Sequence, residues 1–129
     1  MAIGGEIALT QKAEGGAINA DLAVIQGTSA DQVKLPAAVG DRAKGITALK
    51  ADAAGKAIPI IVMGPAVGTA SAAIGAGKFV KVAGTSGKLQ EVGGESAGTT
   101  IEVVGLSITS AAADGDKFDL IVAAFRYKV

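Results

Sequence analysis

Short runs of alternating apolar and polar residues, each ended by a glycine or another turn-forming residue, constrain the fold of this chain most tightly. The clearest runs are Asp31–Pro36, Lys78–Val82, Lys88–Val92 and Thr100–Val104. Alternation with a period of two places one side of a β-strand inward and the other side in water. The chain is therefore predicted to consist mainly of short strands.

Three further runs are almost continuously apolar and indicate strands that are buried on both faces. They are Leu22–Ile25, Ala57–Met63 and Leu120–Phe125. About nine or ten short strands at this spacing predict an all-β fold, either a small β-barrel or a β-sandwich. Because alanine is the best helix former, one or two short helices stay open in alanine-rich segments such as Ala70–Ile74.

Small side chains supply most of the apolar content. Half of the 129 residues are apolar, but only 3% are aromatic, and 19 residues are glycine. Burial of apolar surface stabilises a fold by roughly 25 cal/mol per Å², and small side chains bury little surface each. The core of this chain is therefore expected to supply little stabilisation for its length. We therefore expect contacts with other copies or other proteins to add to the stability.

Charge and hydropathy argue against nucleic acid and membranes as partners. Twelve basic and twelve acidic residues cancel, whereas nucleic-acid binding needs a clustered excess of Lys and Arg. The run Ile58–Met63 is too short to cross a bilayer, and the first residues lack the pattern of a signal peptide. The chain has no cysteine, so no disulfide stabilises it. We expect a soluble protein that is made in the cytoplasm.

The sequence contains an internal echo. The segment Gly45–Gly55 resembles Gly105–Gly115, with glycines and alanines in register, and an Ile-Val pair follows each segment. We interpret residues 17–129 as one β domain with two half-repeats, about 17–62 and 73–122. Chance similarity in a chain rich in glycine and alanine is the alternative. The glycines predicted to form structural turns are Gly45, Gly55, Gly105 and Gly115.

The residue types that most enzymes use are missing. The chain contains no His, Cys or Trp, which removes the commonest general base and the usual transition-metal ligands. The segment Gly75–Lys78 lacks the preceding glycine and the following hydroxyl of a phosphate-binding loop. The segment Asp114–Asp119 lacks two features of a calcium loop, although weak calcium binding stays open there. The sequence predicts no enzyme, no cofactor and no metal site.

A series of turn and strand motifs runs through the chain from about residue 5 to the end. Its main segments are Gly16–Leu22, Val33–Pro36, Ile74–Val80, and Val103–Ile108 followed by Ala113–Asp116. In this order they resemble the small head decoration proteins, or capsid cement proteins, of tailed bacteriophages. Lys78 departs from the acidic residue usual in that family, and residues 59–73 fit loosely. The resemblance implies a tulip-like barrel.

The resemblance also implies a function. Family members are structural virion proteins that bind the outer surface of the mature capsid, commonly as homotrimers, and hold major capsid proteins together. In several relatives an N-terminal arm adds β structure to the capsid protein. The corresponding residues 1–16 are either such an arm or the first strand of the domain. The candidate capsid-contacting residues are Ile3, Gly4, Gly5, Glu6, Ile7 and Leu9.

Other classes of protein share parts of this pattern. A different phage structural component, such as a tail or baseplate part, has the same architecture and tendency to assemble, as does a β-rich surface adhesin or binding module. A carbohydrate-binding module is disfavoured because sugars stack on exposed aromatic rings and few are available. An enzyme is the least favoured class.

Overall fold

The computed structural model describes residues 5–129, which form nine β-strands and no helix. The strands are β1 (Ile7–Ala13), β2 (Ala23–Gln26), β3 (Gln32–Lys34), β4 (Gly45–Thr47), β5 (Ala57–Thr69), β6 (Phe79–Val82), β7 (Leu89–Glu91), β8 (Thr100–Ser107) and β9 (Lys117–Lys128). The predicted all-β barrel is confirmed. The short helix considered at Ala70–Ile74 does not form, because Ala70 pairs with Leu89 and Ile74 pairs with Ala111.

The first five strands close into a small barrel in the order β1-β3-β2-β4-β5. The N-terminal half of β5 pairs with β4 on one side and antiparallel with β1 on the other, with Lys12 opposite Ala57. A short parallel pairing of Lys12 with Gln32 joins β1 to β3. This ring of pairings is the first barrel.

The remaining strands repeat this arrangement on the C-terminal half of β5. The order continues β5-β9-β8-β6-β7, and Thr69 of β5 lies opposite Lys117 of β9. A parallel bridge between Ala70 and Leu89 joins the end of β5 to β7, in the place that the β1–β3 pairing takes in the first barrel. We call these strands the second barrel.

The two barrels share β5, which has 13 residues. The strand changes its partner from β1 to β9 at Gly64, which has a φ of 102°. A Cβ at this position would lie 2.7 Å from the Cα of Glu6. Glycine is therefore required at position 64, where the main chain just before β1 approaches the shared strand closely.

The hydrogen bonds of the first barrel recur in the second. Ile18 pairs with Ala51, and 56 and 60 residues later Ile74 pairs with Ala111. The buried hydroxyl of Thr47 accepts from one main-chain N–H and donates to one carbonyl, and Ser107 does the same in the second barrel. The equivalence of the halves is thus a property of the structure, while their origin by duplication stays a prediction.

Each barrel has its own apolar interior. The interior of the first barrel is Ala13, Ile18, Val24, Val33, Ala51, Ile58 and Ile60. The equivalent residues in the second barrel are Ala70, Ile74, Val80, Leu89, Ala111, Phe118 and Leu120, which all belong to one larger cluster. Phe118 replaces Ile58 and Leu89 replaces Val33, so bulkier side chains fill the second interior.

The four glycines predicted to form turns divide into two kinds. Gly55 and Gly115 lie in turns with φ values of 80° and 89°. The turn prediction is wrong for Gly45 and Gly105, which lie inside β4 and β8. A Cβ there would lie 2.6 Å and 2.1 Å from the carbonyl oxygen of a residue on the neighbouring strand, Ile61 or Ile121. These two positions need glycine for close packing of strands.

Candidate interaction surfaces

The first candidate surface is the exposed part of β1. Ile7 is 53% exposed and lies opposite Met63 of β5, which is exposed as well. In the described part of the chain, the outer edge of β1 pairs with β3 only at Lys12 and Ala13. The backbone of Ile7–Gln11 is therefore open on one side to an added strand.

Of residues 1–16, predicted to be either an arm or the first strand, the structure describes residues 5–16. Ile7–Ala13 are a strand of the first barrel, and Ala13 is part of the buried interior. Of the candidate contact residues, Ile7 and Leu9 are exposed on β1, while Gly5 and Glu6 immediately precede it. Ile3 and Gly4 lie outside the described residues.

The second candidate surface is an aromatic cluster on the second barrel. The rings of Phe79 and Phe125 meet edge to face with centroids 5.2 Å apart, and Tyr127 stacks on Phe125 at 6.1 Å. Phe79 lies opposite Leu106 in the β6–β8 register. All four side chains are more than one third exposed. The sheet thus brings three of the few aromatic residues together on its outside, where large apolar side chains typically mark a contact with another protein.

Ion pairs lie on the opposite face of this strand pair, because Arg126 stands between Phe125 and Tyr127 in β9 and successive side chains alternate in direction. Glu102 accepts hydrogen bonds from Arg126, with Arg126 Nη2 2.6 Å from its Oε2, and Arg42 Nε lies 3.6 Å from its Oε1. The hydrogen bond from Arg126 to Glu102 raises the pKa of the guanidinium. Arg42 comes from the first barrel and Arg126 from β9, so Glu102 joins the two barrels by charge.

A cavity of about 160 Å³ lies between the barrels beside these charges. Val39 and Gly40 line it from the first barrel, and Lys81 and Glu95 line it from the second. The Lys81 Nζ and Glu95 Oε2 atoms are 2.5 Å apart, and their side chains are only 13% and 10% exposed. This hydrogen bond lowers the pKa of the Glu95 carboxyl below its ordinary value of 4.5. Two of the three charged groups that line the cavity thus bind each other, and the third, Glu102, binds Arg126.

Two other segments of the sequence partly resemble a calcium loop and a phosphate-binding loop. In Asp114–Asp119, the Asp116 carboxylate accepts from the main-chain N–H groups of Ala112 and Ala113 and caps a turn. Nowhere in residues 5–129 do three His, Cys, Asp or Glu side chains converge on a possible metal position. The N–H of Gly75 donates to Glu91 at 2.6 Å, an acceptor that repels phosphate. The described residues also contain no helix that could span a membrane.

Sequence reasoning found the β1 residues but not the aromatic cluster. Phe79 and Phe125 are far apart in the chain, and only the β6-β8-β9 pairing brings them together. The sequence signal that could have predicted part of the cluster is the alternation of Phe125 and Tyr127, because alternate residues of a strand share a face.

The fold is a pair of equivalent five-stranded β-barrels that share one long strand. The head fibre gp8.5 N base of bacteriophage phi29 has a similar fold, with a TM-score of 0.65 and 16% sequence identity. The similarity covers 92% of this chain and 94% of the phage chain. The predicted resemblance to phage head proteins is thereby confirmed at the level of the fold. No protein-family model matches the sequence, and the search of curated proteins gives no match.

Proposed function

We propose that this chain is a structural protein of a phage virion that decorates the outside of the capsid and stabilises its lattice. The observation that carries the proposal is the likeness of the whole fold, over 92% of the chain, to a protein of a phage head fibre. The sequence motifs that resemble capsid decoration proteins support the same function.

The proposed partner is the major capsid protein, which β1 would contact along its open edge. The main-chain groups of Ile7–Gln11 on that edge can bind an extended segment by strand addition. The exposed side chain of Ile7 adds an apolar contact next to Met63. Each contact of this kind is weak, but several linked copies bind firmly because their effective concentration is high.

The proposal further includes a homotrimer on the capsid, and neither a cofactor, nucleic acid nor a membrane as partner. The use of the carboxylates supports a structural rather than a catalytic function. Asp21, Glu95, Glu102 and Asp114 each bind a Lys or Arg side chain. Each of these carboxylates thus contacts a cation that lies far from it in the chain, as charges that hold strands and loops together do.

The test is the copy number of this chain in purified virions, measured by quantitative mass spectrometry against the major capsid protein. A copy number near that of the capsid protein is the expected result. A handful of copies would instead assign the chain to a tail or baseplate, and its absence from virions would favour an adhesin or another binding module.

A binding experiment tests the contact itself. Capsids that lack this chain are mixed with the wild-type protein, with Ile7→Lys, or with the control Leu49→Lys, whose side chain is also more than half exposed. Ile7→Lys should weaken co-sedimentation about tenfold, which is ~1.4 kcal/mol, while Leu49→Lys should bind like the wild type. Equal binding of all three would rule out β1 as the contact.

A further inference from the structure

The larger apolar cluster contains more than the interior of the second barrel. Three additional members come from the first barrel: Ala23, Ile46 and Ile61. Four additional members come from the second: Ala66, Val82, Val104 and Val122. None of these seven is equivalent to an interior residue of the first barrel. They are therefore the contact between the two barrels.

Main-chain hydrogen bonds place this contact. The N–H of Ala23 donates to the carbonyl of Gly87 at 2.8 Å, and the N–H of Gly40 donates to the carbonyl of Val82 at 2.9 Å. The Thr69 hydroxyl donates to the carbonyl of Asp21 at 2.9 Å. The first barrel thus covers the second with the outer face of β2, β4 and β5.

The equivalent outer face of the second barrel is open. In the first barrel, Ala23 lies opposite Ile46, and Ile46 lies opposite Ile61. The same register in the second barrel gives Phe79, Leu106 and Ile121, which we call face A. The residues of the first barrel are at most 2% exposed, whereas Phe79 and Leu106 are 45% and 38% exposed.

Face A is apolar, like the covered face of the first barrel, and its side chains are larger. Phenylalanine stands where the first barrel has alanine, and the rings of Phe125 and Tyr127 extend the face. A surface that only met water would favour polar side chains at these positions. Face A therefore has the composition of an interface core.

The complementary surface is present on the first barrel. The equivalents of Ala66 and Val122 are Leu9 and Val62, and the equivalents of Val82 and Val104 are Gln26 and Lys44. We call these four residues face B. Leu9 is 43% exposed, and Val62 is partly buried against the interior of the first barrel. Face B thus offers an apolar centre with a polar rim, which is typical of an interface between proteins that are also soluble alone.

We infer that face A of one copy packs on face B of a second copy, in the way that the first barrel packs on the second inside each chain. This inference deepens the self-association included in the proposed function and names its surface. The contact uses different faces on its two sides, so it is heterologous: it closes into a ring when the rotation between copies permits. Every barrel in such an assembly has its outer face covered by the next barrel.

Substitutions on each face test the inference by analytical ultracentrifugation. Leu106→Lys destroys face A and Leu9→Lys destroys face B, while Leu49→Lys, at an exposed residue on neither face, is the control. The wild type and the control should associate. Each face variant should dissociate to monomers with an affinity at least about 30-fold lower. Unchanged melting temperatures of the monomers show that both variants are folded.

Mixing the two face variants distinguishes this contact from a symmetric one. The mixture retains one intact face A and one intact face B, so it should form a one-to-one dimer and nothing larger. A mixture that stays monomeric, face variants that associate like the wild type, or a monomeric wild type would each overturn the inference.

Cross-linking supplies a second readout, because the chain has no cysteine of its own. Leu9→Cys and Leu106→Cys proteins are mixed with a short bismaleimide and the products are identified by mass spectrometry. The expected product joins position 9 of one chain to position 106 of another; products joining only like positions would contradict the inference.

Binding of the lysine variants to capsids is measured separately. Loss of capsid binding by Leu106→Lys with unchanged association would assign face A to the capsid and overturn the contact between copies, whereas intact association without capsid binding by the wild type would reject only the proposed function.

Discussion

Replacing Gly105 by alanine should destabilise the protein far more than replacing Gly115, although Gly115 has the unusual backbone conformation. A Cβ at position 105 would lie 2.1 Å from the carbonyl oxygen of Ile121 on the neighbouring strand. A Cβ at position 115 meets nothing within 4 Å, and the strain there comes only from a φ of 89°. The two variants therefore separate a steric cause from a conformational one.

The magnitudes follow from these distances. To accommodate the methyl group, β8 and β9 must move apart by about 1 Å at this point, which combines overpacking strain of about 1–3 kcal/mol with a weakened ladder hydrogen bond of about 1 kcal/mol. We expect Gly105→Ala to lower the free energy of unfolding by about 3 kcal/mol. For Gly115→Ala, a left-handed conformation costs about 1–2 kcal/mol, and the reduced entropy of the unfolded chain offsets about 0.4–1 kcal/mol. The net loss is about 1 kcal/mol.

Thermal unfolding followed by circular dichroism measures both values. For a domain of this size, 1 kcal/mol corresponds to a shift in Tm of about 3–5 °C. Gly105→Ala should therefore melt about 10 °C below the wild type and Gly115→Ala about 4 °C below it. The experiment uses a dilute sample, so that association between copies does not contribute to the Tm.

The equivalent residue of the first barrel provides an internal replicate. A Cβ at Gly45 would lie 2.6 Å from the carbonyl oxygen of Ile61, so Gly45→Ala should be destabilising in the same way and somewhat less strongly. The reasoning is refuted if Gly105→Ala melts within about 3 °C of the wild type, or if Gly115→Ala is the more destabilised of the two.

Three other perturbations have defined outcomes. Thr47→Val should lower the free energy of unfolding by about 2 kcal/mol, because it leaves one main-chain donor and one acceptor unpaired; urea unfolding of this variant next to an exposed Thr28→Val control measures the difference. The pKa of the Glu95 carboxyl is lowered in the folded state, so this ion pair stabilises the fold at pH values above the ordinary pKa of 4.5. That stabilisation is lost as the pH falls through the pKa of the folded state. Glu95→Gln should therefore reduce the decrease of the Tm in acid, and an unchanged decrease would contradict this. Deleting residues 2–5 should leave the circular dichroism spectrum unchanged, whereas deleting residues 2–13 should abolish folding, since it removes β1; a folded product of the longer deletion would mean that β1 is dispensable.

Much of the fold could be predicted because its signals are local. The alternating run Lys78–Val82 contains β6, and Thr100–Val104 contains the start of β8. The echo between Gly45–Gly55 and Gly105–Gly115 points to segments that have the same hydrogen bonds in both barrels. Period-two alternation and a repeated order of motifs can both be recognised in one sequence, without knowing which strands are neighbours.

The rest depends on which strands become neighbours. Gly45 follows Lys44 and Gly105 follows the apolar pair Val103-Val104, and in both places only the close approach of a neighbouring carbonyl shows why the residue is glycine. The division of β5 between two barrels depends on its pairing with β1 and β9. The aromatic cluster could not be predicted for the same reason, because Ala23 is buried against the second barrel whereas its equivalent, Phe79, is 45% exposed.

The shared strand has a mechanical consequence. A strand of 13 residues spans roughly 43 Å at ~3.3 Å per residue, and it forms a wall of both barrels. No flexible linker separates the barrels, so a tensile load on one of them is transmitted along the β5 backbone to the other. Yielding then requires the ladders to β1 and β9 to shear with many hydrogen bonds loaded at once. Such a protein is expected to resist stretching, which is the property that the proposed function of holding neighbouring capsid proteins together would require.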